Sequence, residues 1–160
     1  MKRKEVWWPL GTLLLVIIIH FIIFGIDGFK PDATQDINIY DTYFVIGTYG
    51  LILPLALLLF FGVYLFRMLR LNFKNLTVNM IFMVLTILLV LILNKFISFI
   101  DSFAGFSGFA DDSMRSQGIH EQYGNLWENI RNGLFVIKIV LLILLPYCGF
   151  KTGLHFKYSK

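Results

Sequence analysis

Cysteine is nearly missing from this sequence: Cys148 stands alone among 160 residues. A single thiol excludes an intramolecular disulfide and any cysteine-based metal cage. Because it lies in an apolar run, a small packing role is expected for it rather than a reactive one. Catalytic signatures are missing too. There is no phosphate-cradling glycine loop, no metalloprotease histidine pair and no G-x-S-x-G elbow. No catalytic residue is assigned, and an enzyme is not the expected class. No internal repeat and no Ser/Gly or Pro linker divides the chain, so one domain is expected. Charged residues make up only 15% of it, whereas 58% are apolar and the mean hydropathy is +0.75. Soluble domains are typically about half apolar, and here the excess is gathered into long runs, which is how membrane spans read.

Taken in order, Lys2, Arg3 and Lys4 precede Trp7 and Trp8, a basic start with an interfacial aromatic pair. The apolar run that follows is longer than a signal core and ends in FGIDG, with no small-x-small cleavage site. It is expected to stay as a first transmembrane helix. The expected fold class is all-α, an integral membrane protein of four transmembrane helices. The spans fall at approximately 9–26, 43–66, 78–100 and 133–150, with outer connections at 27–42 and 101–132. Asp41 or Thr42 is the expected N-cap of the second helix, and Asn75 or Thr77 that of the third. Pro54 is expected to kink the second helix, and Gly47 and Gly50 offer a close-approach side for another backbone. From about Glu121, Tyr123, Leu126, Trp127, Ile130 and Leu134 recur at helical spacing, so the fourth helix is expected to start outside the membrane and run in.

Charge sets the orientation. The N-terminus, the connection after the second span and the C-terminus hold nine Lys/Arg and one acid, Glu5. The two outer connections hold three Lys/Arg and the other nine acids. Basic residues mark the cytoplasmic side, so both termini are expected in the cytosol of an inner or plasma membrane. The same residues read as topology signals and anionic-lipid contacts, not as a nucleic-acid surface.

One stretch carries a specific pattern. Asp36, Ile37, Asp41, Thr42, Tyr43, Phe44 and Val45 match the order D-[IV]-x-x-H-D-T-Y-[YF]-V. This resembles heme-copper oxidase subunit I, where the motif leads from the outer surface into a metal-binding transmembrane helix. The resemblance implies a membrane-embedded helical frame entered from the outer side. It does not extend to the ligands: Tyr40 stands where the family has a magnesium-binding histidine, and Thr48 and Gly50 stand where it has the heme ligands. A hydroxyl and a hydrogen do not replace imidazole on iron.

Five or six residues in from each outer end come His20, Thr48 and Tyr49, Asn94 and Lys95, and Lys138. At about 1.5 Å per residue they lie roughly 8 Å below the outer interface. The simpler expectation is that the lysines snorkel and pair with nearby aspartates. The sharper one is a cationic ligand-binding layer for a quinone, a lipid headgroup or an ion. Heme is not expected, because His20 has no second ligand at its depth. His120 and Met114 fall in the outer connection, His155 in the tail, and Met68, Met80 and Met83 in the opposite leaflet. Asp111, Asp112 and Glu121 match no calcium loop and read as a solvated face. No cofactor or metal is assigned. The expected function is that of a non-catalytic subunit or scaffold of a membrane complex, with a membrane-protein partner or a homo-oligomer. The alternative is a respiratory-type or transport protein that uses the outer polar layer.

Overall fold

The computed structural model describes residues 7–39, 42–106 and 119–158. The elements run in the order α1 (Trp7–Phe24), a 3-10 turn (Asp27–Phe29), β1 (Thr34–Ile39), β2 (Thr42–Gly47), α2 (Thr48–Arg70), α3 (Leu76–Phe106) and α4 (Ile119–Tyr158). Among the described residues four helices are long and apolar enough to cross a membrane: Trp7–Phe24, Gly50–Arg70, Leu76–Ser102 and Glu128–Leu154. The helical reading of the long apolar runs therefore holds. So does the early start of the last helix, which begins at Ile119. The chain forms two compact units, Met1–Leu85 and Thr86–Lys160, divided within α3.

The helical class holds, with one addition: β1 and β2 pair antiparallel, with Thr34 opposite Gly47 and Ile39 opposite Thr42. One expectation is corrected. The second helix starts at Thr48 rather than at Tyr43, so neither Asp41 nor Thr42 caps it. Its N-cap is Gly47, in extended conformation and with no side-chain cap bond. The cause lies in the residue types. Thr42 to Ile46 is an unbroken series of β-branched and aromatic residues, which lose rotamer freedom in a helix and fit a pleated strand. Only two residues before it, the segment from Thr34 to Ile39 supplies a mate. Apolar character alone merges this strand with the helix behind it.

In the first unit α1 packs on α2. Thr12, Val16 and His20 are its buried residues, spaced four apart and so on one face. The α1 helix ends at Gly25, which takes φ +67° and donates to the Phe21 carbonyl at 2.8 Å, a left-handed cap that glycine adopts without strain. At the other end of α2, Tyr64 and Met68 are buried together with Val78 and Phe82 of α3, and the Phe61 and Phe82 rings lie 5.2 Å apart. The turn between these helices places Asn72 and Phe73 at φ 47° and 61°. Asn79 holds it by donating to the Phe73 carbonyl at 2.8 Å. Asn75 is the cap expected for α3, its side chain accepting from the Thr77 and Val78 amides. The α2 helix continues through Pro54.

In the second unit Ile100, Leu141 and Cys148 are buried, and Thr152 donates to the Cys148 carbonyl at 2.7 Å. Cys148 is thus the small packing residue that its surroundings imply.

Candidate functional site

Two of the six residues expected in the outer polar layer meet at one atom, the carbonyl oxygen of Gly28. His20 approaches it through Nε2 at 3.2 Å, and the Thr48 hydroxyl lies 3.1 Å away. A carbonyl only accepts, so His20 holds its proton on Nε2. Thr48 also lies 3.1 Å from the Ala33 carbonyl by its hydroxyl, and its amide donates to that carbonyl at 3.0 Å. His20 and Thr48 are both nearly fully buried. Local structure explains the convergence. The left-handed Gly25 turns the chain back at the end of α1, and the 3-10 turn then folds Gly28 onto the preceding helix. A side chain at position 28 would strike the Phe24 Cβ and approach His20 Nε2 at 3.3 Å.

The surroundings of the His20 ring are aromatic. The His20 ring lies 4.8 Å from Phe24 and 4.7 Å, edge-on, from Phe29. Its Nδ1 is buried without a hydrogen-bond partner among the described residues. Just outside, Asp27 and Lys30 form an exposed ion pair at 2.6 Å, and the hydrogen bond and charge of Lys30 hold the Asp27 carboxyl below its ordinary range. The arrangement fastens the connection after α1 onto the start of α2. His20 thus bonds the backbone of that connection and not a second helix.

The remaining candidates separate. The side chain of Tyr49 lies outside the described residues, as do those of Asp41, Thr42 and Tyr43 of the patterned stretch. Asp36 is exposed on β1, opposite Val45. The stretch therefore forms a hairpin in this chain, not the first turns of a helix. Gly47 is paired with Thr34 in the hairpin, and neither Gly47 nor Gly50 has anything within 4 Å of where a side chain would begin. Asn94, Lys95 and Lys138 belong to the second unit. Asn94 is half-buried and Lys95 is exposed. Lys138 is half-buried with its ammonium 5.3 Å from the Phe135 ring centre. Neither lysine pairs with an acid among the described residues. Asp101 lies instead 3.8 Å from Arg131, which also approaches Glu128 at 3.7 Å. The side chains of Asp111, Asp112, Met114, His120, Glu121 and His155 are outside the described residues. Among the described residues no cluster of three or more His, Cys, Asp or Glu side chains has the arrangement of a metal site.

Sequence reasoning missed Arg67. It reads as one member of a basic turn, yet it is mostly buried, with its guanidinium 4.9 Å from the Trp8 ring centre. The available signal is placement: Arg67 falls in the last turn of α2 and Trp8 in the first turn of α1, and an antiparallel pair brings those ends together. Gly28 was also missed, since its contribution is a backbone oxygen that no residue pattern marks. No protein-family model, curated protein or solved structure matches the chain.

Proposed function

We propose that this chain is a small multi-pass membrane protein acting as a non-catalytic subunit or scaffold of a membrane complex. It crosses the bilayer four times, with both termini in the cytosol and the hairpin and the connection between α3 and α4 outside. One observation carries this reading: the uncovered apolar surface of the helices. Ile22 is 73% exposed, Leu53 68%, Phe66 66% and Ile143 64%, and no more than 22% of any span is buried within the chain. So large an apolar area is untenable in water and needs lipid or a partner against it. The nine-to-three division of basic residues supports the orientation. The polar groups gathered at Gly28 serve the packing of the chain, since His20 and Thr48 both turn inward to the backbone. This favours a structural subunit over a protein with a ligand-binding layer, and leaves Lys95 and Lys138 as the groups available to the second role.

Membranes washed with alkaline carbonate, then extracted in mild detergent and purified through the chain, test the proposal. The expected result is retention through the wash and a stoichiometric protein partner. A chain released by the wash refutes membrane insertion. A bound quinone or ion without a protein partner establishes the respiratory or transport role instead.

A further inference from the structure

The hairpin presents backbone hydrogen-bonding groups that the chain does not use. The Thr48 amide bonds the Ala33 carbonyl, which makes positions 33 and 48 a bonded pair of the ladder. In an antiparallel ladder bonded and non-bonded pairs alternate. With the observed register, Gln35 and Ile46, Ile37 and Phe44, and Ile39 and Thr42 are then bonded pairs. Thr34, Asp36 and Asn38 turn their amides and carbonyls outward from β1. Thr34 and Asp36 are exposed, and among the described residues no hydrogen bond reaches their outward groups. The strand contains no proline and no lysine and its register is continuous, so Asp36 is its one charged residue and sets which strand can join the open edge.

Charge says what kind of strand fits. Residues 27–42 hold Asp27, Asp32, Asp36 and Asp41 against Lys30 alone. Lys30 is committed to Asp27. Asp32 and Asp36 are exposed and have no ion-pair partner among the described residues, whereas β2 carries no charge at all. A second copy of this chain would bring the same aspartates, and like charges across strands repel. An anionic lipid surface is disfavoured on the same ground.

We propose that the open edge of β1 receives an extended, lysine- or arginine-bearing segment of a partner protein, added as a third strand. This rests on the subunit reading and names where and how the partner is held. Backbone bonds to Thr34, Asp36 and Asn38 provide the attachment, and Asp32 and Asp36 select a basic segment.

The test uses the full chain in phosphatidylcholine nanodiscs and a labelled synthetic peptide alternating lysine and valine, with a glutamate–valine peptide as control. The lysine peptide binds and the glutamate peptide does not. Asp32→Asn with Asp36→Asn weakens binding about five-fold, as expected for two exposed ion pairs. Asn38→Pro removes an outward N–H while sparing the ladder, and it weakens binding with the charges intact. Thr34→Pro replaces it if that variant fails to fold by circular dichroism. No binding, equal binding of both peptides, or wild-type affinity in a folded proline variant overturns the proposal. If it fails while a stoichiometric partner still co-purifies, strand addition is wrong and the subunit reading stands. A chain that purifies alone yet binds the lysine peptide supports the edge and refutes the subunit reading.

Discussion

Gly28 places its carbonyl where a buried imidazole and a buried hydroxyl both reach it, in a space that admits no side chain. Loss of one donor and crowding of the acceptor are unequal in consequence. Thr48→Val keeps the shape and leaves His20 on the carbonyl, so it should cost about 1 kcal/mol, the net value of one hydrogen bond. Gly28→Ala drives a methyl group into Phe24 and should cost about 1–3 kcal/mol through overpacking. Thermal unfolding of both variants in the same detergent checks this order, and a Thr48→Val defect larger than that of Gly28→Ala would contradict it. Asp27 gives a pH prediction. Its folded carboxyl titrates below the ordinary value because of Lys30, so the pair contributes above that ordinary value and is lost as pH falls through the lowered one. Carbon-detected NMR should show the Asp27 midpoint rising in Lys30→Gln. Both groups are well exposed, so the effect is local to the turn.

At the scale of elements, the two connections of the first unit are ordered by different means. The one after α1 is held by side chains reaching a backbone carbonyl and by pairing of β1 with β2. The turn between α2 and α3 is short and takes two successive non-glycine residues into the left-handed region. Left-handed backbone is uncommon for a bulky residue such as Phe73 and needs compensation from its surroundings. Asn79 gives part of it from the first turns of α3, through its bond to the Phe73 carbonyl. Asn79→Ala should therefore destabilise the chain by about 1–3 kcal/mol, the cost of a lost buried bond. Protease cleavage between Leu71 and Asn75 should speed up in parallel. A stable variant whose turn resists protease would show that the bond is dispensable.

For the whole molecule, the proposed orientation has direct consequences for labelling. In a Cys148→Ala background, Asp112→Cys should react with a membrane-impermeant maleimide on intact cells. Lys160→Cys should react only after the membrane is opened. The reverse pattern would invert the topology, and the proposed hairpin edge would then face the cytosol.

The four long apolar helices, the early start of α4, the cap at Asn75 and the division of charge were legible in the order of residues. Each depends on composition or spacing within a short window, which local physical chemistry governs. The sequence also marked His20 and Thr48 as candidates by their polar character in apolar surroundings. It did not show that they share an acceptor, because that acceptor is the backbone of a glycine placed by the turn at Gly25. Nor did it separate β2 from α2. Apolar residues that are continuous in sequence read as one helix until another segment offers a ladder, and Thr34 to Ile39 offers one. The fate of Arg67 was hidden in the same way, since its burial beside Trp8 requires two helix ends far apart in the chain to lie together. Local pattern determined which segments are helical and apolar. Only contacts between segments decided where the second helix begins and what holds the connection after α1.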